Sequence, residues 1–303
     1  MKYDELAAKV TNQIITMIEA GIDSDGFSAP WHTSGIAAHL RPTNVTTEIA
    51  YRGANVMLLA MAGVERGFPT SEWATYKQLQ AVGAQVRKGE TGEYITKWVV
   101  KKAKDEGDEK PTADGETSRA RKFPVTFKVF NVHQADFPDY QQVGPPEGGN
   151  QLADQWINES GSDLHLGGDR AYYVPANDRI YAPGPDQYDD VSAFYSVCLH
   201  EHVHWTGHPS RLDRDQAGSF GSDSYAREEL VAELGAAFAC ARIGISNEPR
   251  PDHAAYLENW LSVLKEDPKA LFRAAAAAQR AVDLLDPDAT DETPKPAKEL
   301  ASV

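Results

Sequence analysis

The feature that most constrains this chain is His200-Glu201-His202-Val203-His204, an H-E-x-x-H run inside an apolar stretch. On an α-helix, side chains four residues apart share a face, so His200 and His204 can reach one metal ion while Glu201 reaches a water beside it. A hydrolytic zinc site takes three protein ligands, leaves a fourth position for water and lowers the pKa of that water towards neutrality. These roles make His200 and His204 ligands and Glu201 the catalytic base. Val191, Phe194, Tyr195, Cys198 and Leu199 supply the buried face such a helix needs. The bland alternative is a histidine-rich surface helix with no metal. His202 falls about 200° round the helix from His200 and should point away from the metal, to pack or to meet solvent.

The third ligand has several candidates. Gly207 matches the glycine of the longer H-E-x-x-H-x-x-G-x-x-H pattern, but Ser210 stands where its last ligand would be. His208 sits beside Gly207 and Pro209, which end a helix and leave its direction open. Downstream, Glu229 and Glu233 share one face of a helical, otherwise apolar pattern. Buried carboxylates are normally paired or metal-bound. Glu229 as ligand, with Glu233 accepting a hydrogen bond from a ligand histidine, gives both a purpose. His208 or Glu233 as ligand, or both glutamates paired with arginines such as Arg227, are the alternatives. A His₂Glu set binds Zn²⁺, and also Mn²⁺ or Co²⁺.

Composition sets the class. A hydrophobic fraction of 41% with 25% charged residues is that of a globular protein. Apolar runs such as VMLLAMAGV at 56–64 are too short to span a bilayer, so no membrane partner is expected. MKYDELAAKV has no signal-peptide character. Two cysteines, Cys198 and Cys240, make no disulfide framework and read as small core residues. Together these point to a cytoplasmic protein.

Helical periodicity appears at 3–20, closed by Gly21, and at 53–66, closed by Gly67. Residues 22–50 read as loop, and Ser71 as the cap of a short helix over EWATYKQLQAVG. Residues 94–101 and 125–132 read as strands that pair antiparallel across a long exposed loop at 102–122. Residues 151–159, 190–207, 224–243 and two patterns within 253–285 read as helices. RAYYVPANDRIYA at 170–182 reads as two short strands about a turn. The Pro/Gly-rich QQVGPPEGGNQ suggests domains at 1–142 and 151–286, a linker at 143–150 and a disordered tail at 287–303.

The net charge of −15 argues against nucleic acid until its distribution is read. Residues 1–146 hold 17 Lys+Arg against 18 Asp+Glu, whereas 147–303 hold 13 against 27. Arg52, Lys77, Arg87 and Lys88 are interleaved with Tyr51, Trp73 and Tyr76, with Asn55 and Gln78 nearby. Basic side chains neutralise phosphates and aromatic faces stack on unpaired bases, a combination suited to single-stranded nucleic acid. Trp73 and Tyr76, three apart on a helix, would equally suit a core.

Two resemblances sharpen this reading. Glu229-Leu230-Val231-Ala232-Glu233 is similar to the E-x-x-x-[DE] helix of gluzincin-type metallopeptidases, whose substrate lies along a strand edge beside the metal. AYYVPANDRIYA is the candidate edge here. Tyr172, Tyr173, Tyr181, Tyr225 and Arg211 are candidates to stabilise an oxyanion. The chain as a whole resembles the ArdC-type antirestriction proteins of conjugative plasmids. PW at 30–31, YRGANVMLL at 51–59, W-x-TYKQ at 73–78, GAQVRKGE at 83–90, VFNVHQ at 129–134, HEHVHWTGHPSRLDR at 200–214 and YAREELVAEL at 225–234 carry the likeness. It implies an α+β chain of two domains, N-terminal helices on a small antiparallel sheet followed by a zincin-like metallopeptidase domain. It also implies single-stranded DNA as partner, contacted by Trp31 together with Arg52, Asn55, Trp73, Tyr76, Lys77, Gln78, Arg87 and Lys88, and protection of incoming DNA from restriction. Three readings follow. In one, a protease concentrated on single strands cuts an unidentified protein, with a restriction-system subunit as a candidate. In another, a binding protein protects by occupancy around a structural metal. In the last, a protease similar to SprT-like enzymes clears proteins bound to DNA.

Overall fold

The computed structural model describes residues 1–22, 29–101, 121–138, 140–142, 144, 146–219, 221–247 and 257–289. The expected loop at 102–122 lies outside these residues apart from its last two, which are strand. The expected tail lies outside them from 290 onwards.

The N-terminal half begins with α1 (Tyr3–Ile22), which buries Leu6, Val10, Ile14 and Ile18 at helical spacing. Gly21 does not stop this helix, which runs on to Ile22. The stretch read as loop at 22–50 holds a 3₁₀ turn at Pro30–His32, α2 (Ser34–Ala37) and β1 (Thr43–Asn44). α3 (Ala54–Arg66) ends at Gly67, whose φ of 62° is the left-handed cap glycine supplies without strain. The helix expected from Ser71 is corrected. Glu72–Ala74 form strand β2, and helix α4 (Tyr76–Ala81) starts only after Thr75. Thr75 and Gln78 close a reciprocal capping box that fixes this start, and Trp73 is pinned in the sheet opposite Asn131. After β3 (Gln85–Val86) come β4 (Glu93–Lys101) and β5 (Arg121–Asn131), antiparallel as expected, in the register Tyr94↔Lys128 to Lys101↔Arg121. β6 (Ala135–Asp136) pairs with β3, and the main sheet has the order β1-β2-β5-β4.

The C-terminal half opens with α5 (Gly149–Glu159) and a three-stranded sheet of β7 (Asp163–Leu166), β8 (Tyr172–Val174) and β9 (Arg179–Ala182). β8 and β9 are the expected pair. β7 is an addition to the expected elements: Asp163-Leu164-His165-Leu166 alternates polar and apolar but is only four residues long, and it pairs parallel with β9, so β8 is left at an edge. Four helices follow: α6 (Val191–Thr206), α7 (Asp223–Ile243), α8 (Leu257–Glu266) and α9 (Ala270–Leu285). Asp190 caps α6 and Ser222 caps α7. Among the described residues no helix is long and apolar enough to cross a membrane.

Apolar side chains from both halves meet in one buried cluster. Ile14 of α1 and Met57 of α3 lie in it with Leu199, Leu230, Trp260 and Leu271. The Trp31 and Trp260 rings are 5.6 Å apart within it. The packing that matters most for the site is α6 on α7. A Cβ at Gly235 would lie 2.7 Å from Val203 Cγ2, so only glycine lets the two helices approach this closely. Gly235→Ala is therefore expected to destabilise the fold by about 1–3 kcal/mol through overpacking. A thermal melt beside wild type checks this, and an unchanged midpoint would show that the contact has slack.

Candidate metal centre

α6 presents His200 and His204 to the face of α7 that carries Glu229 and Glu233, all on the buried side of the contact. Each histidine has one nitrogen engaged by a carboxylate behind it. His200 Nδ1 lies 3.3 Å from Glu233 Oε1, and His204 Nδ1 lies 3.1 Å from Glu228 Oε1. The other nitrogens converge on Glu229, with His200 Nε2 3.6 Å from Oε2 and His204 Nε2 3.5 Å from Oε1. One ligand atom from each of the three residues falls within 4.8 Å of the others.

This donor set fits a divalent metal. Tetrahedral ligands with bonds of about 2.05 Å stand about 3.3–3.4 Å apart, close to the separations present. The carboxylates at Nδ1 fix the ring orientations and leave Nε2 for the metal. Charge is arranged likewise. Burial alone would pull the His204 pKa down, but Glu229 and Glu228 outweigh it and push it up to about 10. Burial alone would raise Glu229, but His204 and His200 hold it far below the usual carboxylate range. The carboxylates around the two imidazoles thus favour positive charge at this point of the interior.

The surrounding shell has parts that sequence reasoning missed. Glu228 accepts hydrogen bonds from Arg214 Nε at 2.9 Å, Arg214 Nη2 at 2.8 Å and Gln216 Nε2 at 3.0 Å. Arg214 also donates to Thr206 Oγ1 and to the Val203 carbonyl, and Gln216 to the His204 carbonyl, which stitches the loop after α6 against the site. On the other side, Glu233 Oε2 accepts from Trp31 Nε1 at 3.4 Å and lies 3.0 Å from His32 Nε2. His32 Nδ1 meets the Asn247 carbonyl at 2.9 Å. The only sequence signal for this link was the Pro30-Trp31 pair, which offered no hint of its partner.

His202 packs rather than meeting solvent. Burial lowers its pKa to about 4, so its neutral ring donates from Nδ1 to the Cys198 carbonyl and accepts at Nε2 from the Ser162 hydroxyl. His208 bonds Ser210 and stands outside the ligand group. A cleft of about 590 Å³ opens over the centre and is lined by Glu201, His204, Glu229, Tyr225, Tyr172 and Tyr173, with further residues around them. Tyr173 donates its hydroxyl to Asp178, Tyr181 stacks on Tyr172 outside the lining, and Arg211 covers Trp205 while pairing with Asp178. Tyr225, one turn before Glu229 on the same helix, and Tyr172 are the oxyanion candidates that line the cleft beside the centre.

Comparison with known proteins agrees with this arrangement. Residues 4–133 match the N-terminal domain of anti-restriction factor ArdC, and residues 151–277 match a zincin-like metallopeptidase. The crystal structure of the antirestriction ArdC protein from the R388 plasmid, in its Mn(II)-bound form, superposes with a TM-score of 0.74 at 32% identity over 96% of this chain and 100% of that one. The chain belongs to the ArdC antirestriction family. The metal-free R388 structure gives a TM-score of 0.72 at 34% identity, covering 92% of this chain and 96% of that one. The uncharacterized protein y4eC of Sinorhizobium fredii is 39% identical over 95% of this chain and 93% of its own length. A DNA primase TraC of Escherichia coli is 36% identical over 91% of this chain, which spans only 26% of that primase.

In this ArdC-family chain the residues expected to contact DNA divide in two. Trp31 and Trp73 are fully buried, so neither offers a face to a base. Asn55 holds the outer edge of β4 through the Thr96 backbone, Gln78 closes the α4 capping box, and Arg52 pairs with Asp283 of α9. Burial corrects the expectation for Trp31 and Trp73, while Asn55, Gln78 and Arg52 each have a partner within the fold. Tyr76, Lys77, Arg87 and Lys88 are exposed, and Tyr76, Arg87 and Lys88 line one open groove with Phe130, Glu90 and Asp136, both acids being paired with Arg87.

Because His32 orients Glu233, and Glu233 orients His200, His32→Ala is expected to weaken metal binding by about tenfold while the α-helical content is kept. Competition with a chelating dye measures it. Unchanged affinity would show that Glu233 needs no support from the N-terminal half.

Proposed function

We propose that this ArdC-family chain is a metal-dependent peptidase that works on single-stranded DNA, in the cytoplasm of a cell receiving conjugative DNA, and that it thereby protects that DNA from restriction. The observation that carries the reading is the convergence of His200, His204 and Glu229 beside Glu201 at the floor of a cleft. A Zn²⁺ there, or Mn²⁺ or Co²⁺, supplies Lewis acidity and a water acidified towards neutrality. Glu201 takes the proton of the attacking water and returns it to the leaving amine. Tyr225 or Tyr172 donates to the developing oxyanion. β8 lines the cleft at the edge of its sheet, and its free backbone groups suit an extended polypeptide. The exposed groove of Tyr76, Arg87 and Lys88, with Lys77 on the same helix as Tyr76, supports contact with unpaired bases and phosphates. The likeness to TraC primases is consistent with a place beside transferred DNA.

The second reading, protection by occupancy around a structural metal, is favoured by the acidity of residues 147–303, where 27 acidic residues outnumber 13 basic ones. Glu201→Gln separates the two, because it keeps both ligand histidines and removes the base. Hydrolysis of an unfolded protein by the metal-loaded variant, with and without single-stranded DNA, is expected to fall by about 10²–10⁴-fold. Protection of transferred plasmid in a restricting host should fall with it. Protection at full strength in the variant would mean that occupancy, not cleavage, is the mechanism.

A further inference from the structure

Of the six tryptophans, five are at most 7% exposed, whereas Trp98 is 55% exposed. It stands on β4 beside Val100, which is 54% exposed, so the end of the β4–β5 ribbon shows apolar surface that a lone protein normally hides. The register places Tyr94, Trp98 and Val100 of β4 on the same face as Lys128, Pro124 and Lys122 of β5, their direct partners; the Thr96–Thr126 pair between them is covered, Thr96 being buried and Thr126 donating its hydroxyl to the Met1 carbonyl. Lys122 and Lys128 are exposed, and the Lys128 ammonium lies 5.1 Å from the centre of the Tyr94 ring. Period-two alternation carries the same face of β5 back to Phe130, whose ring meets Tyr76 edge-on at 6.3 Å in the groove with Arg87 and Lys88. Tyr3 touches the Trp98 ring edge-on at 5.7 Å and steadies it.

Resting on the single-strand reading above, we propose that this face of the ribbon, from Phe130 to Lys122, is the track along which single-stranded DNA lies. Trp98 is its stacking platform, and Lys122 and Lys128 hold the backbone phosphates. The nine residues from Lys122 to Phe130 span about 26 Å, with open stretches on either side of the Met1 contact at Thr126, enough for a footprint at the short end of the ~4–16 nucleotides typical of single-strand sites. The chemistry selects the occupant. Aromatic rings alternate with ammonium groups on a chain whose net charge is −15, so the local charge is complementary to a polyanion. Bases offer open faces for stacking only when unpaired. Lysine is depleted at the cores of protein–protein interfaces, so two lysines flanking the aromatic row do not suit a second protein copy.

The test is titration of the full chain with fluorescein-labelled oligo(dT) of about 16 nucleotides, read by anisotropy, and with unlabelled oligo(dT), read by intrinsic tryptophan emission. Stacking on the one exposed tryptophan should quench that emission in wild type. Trp98→Ala should weaken binding about tenfold or more and abolish the quench. Lys122→Ala with Lys128→Ala should reduce the slope of log affinity against log salt by about 1.4. The lysine pair carries the test if loss of the Tyr3 contact unfolds Trp98→Ala. Wild type that binds no oligo(dT) would overturn the single-strand reading itself. Wild type that binds, with both variants binding unchanged, would overturn the track and leave that reading standing. A dimer that Trp98→Ala splits with no change in DNA affinity would make the ribbon a self-association surface and overturn the track as well.

Discussion

The structure turns on the contact of α6 with α7, because three buried glutamates of α7 can be tolerated only where two histidines of α6 and further donors meet them. Taking carboxylates out of water costs several kcal/mol each unless partners meet every one. Here Glu229 faces both histidines, Glu228 gathers Arg214, Gln216 and His204, and Glu233 gathers His200, His32 and Trp31. Gly235 permits the approach, and the cluster of buried charge then specifies the register of the helices. A shift of one residue along either helix would strand a carboxylate in an apolar interior.

The same network joins the two halves of the chain. The Pro30–His32 turn belongs to the half that matches the ArdC N-terminal domain, yet its two aromatic side chains end on Glu233. The N-terminal helices also share their core with α8 and α9, and Arg52 reaches Asp283. Residues that resemble nucleic-acid contacts in sequence are thus split between those committed to the fold, of which Trp31 and Arg52 join the halves, and those left on the surface. The candidate metal site and the proposed DNA face are connected through this weld, so the two activities proposed for the chain are not free of each other's packing.

The sequence made the long-periodic parts legible. The helices at α6, α7 and α9, the β4–β5 hairpin and the H-E-x-x-H geometry follow from patterns that leave little choice of partner. The Glu229–Glu233 face was readable because two carboxylates on an apolar face demand an explanation. Glu228 was not, since it sits beside Glu229 and looks like a solvated neighbour until Arg214 and Gln216 fold back on it. The start of α4 was misplaced because Ser71 and Thr75 are both plausible caps. The choice is made by Gln78 and by the need of Trp73 for a place in the sheet. The ties of Trp31, Asn55 and Gln78 within the fold are not legible in the sequence because their partners lie 202, 41 and 3 or 34 residues away, and most of those separations carry no local signal. The exposure of Trp98 is not legible in the sequence because a strand residue shows its exposure only once its neighbours are known.

The most direct test of the account is X-ray absorption spectroscopy on the metal-loaded protein, with Zn²⁺ and with Mn²⁺. For zinc the account predicts one ion per chain, with two imidazole nitrogens at about 2.0–2.1 Å and a carboxylate oxygen at about 2.0–2.2 Å. The carboxylate contribution should be lost in Glu229→Ala. A first shell that survives Glu229→Ala intact, or one built from oxygen alone, would contradict the His200–His204–Glu229 centre on which the rest of the account depends.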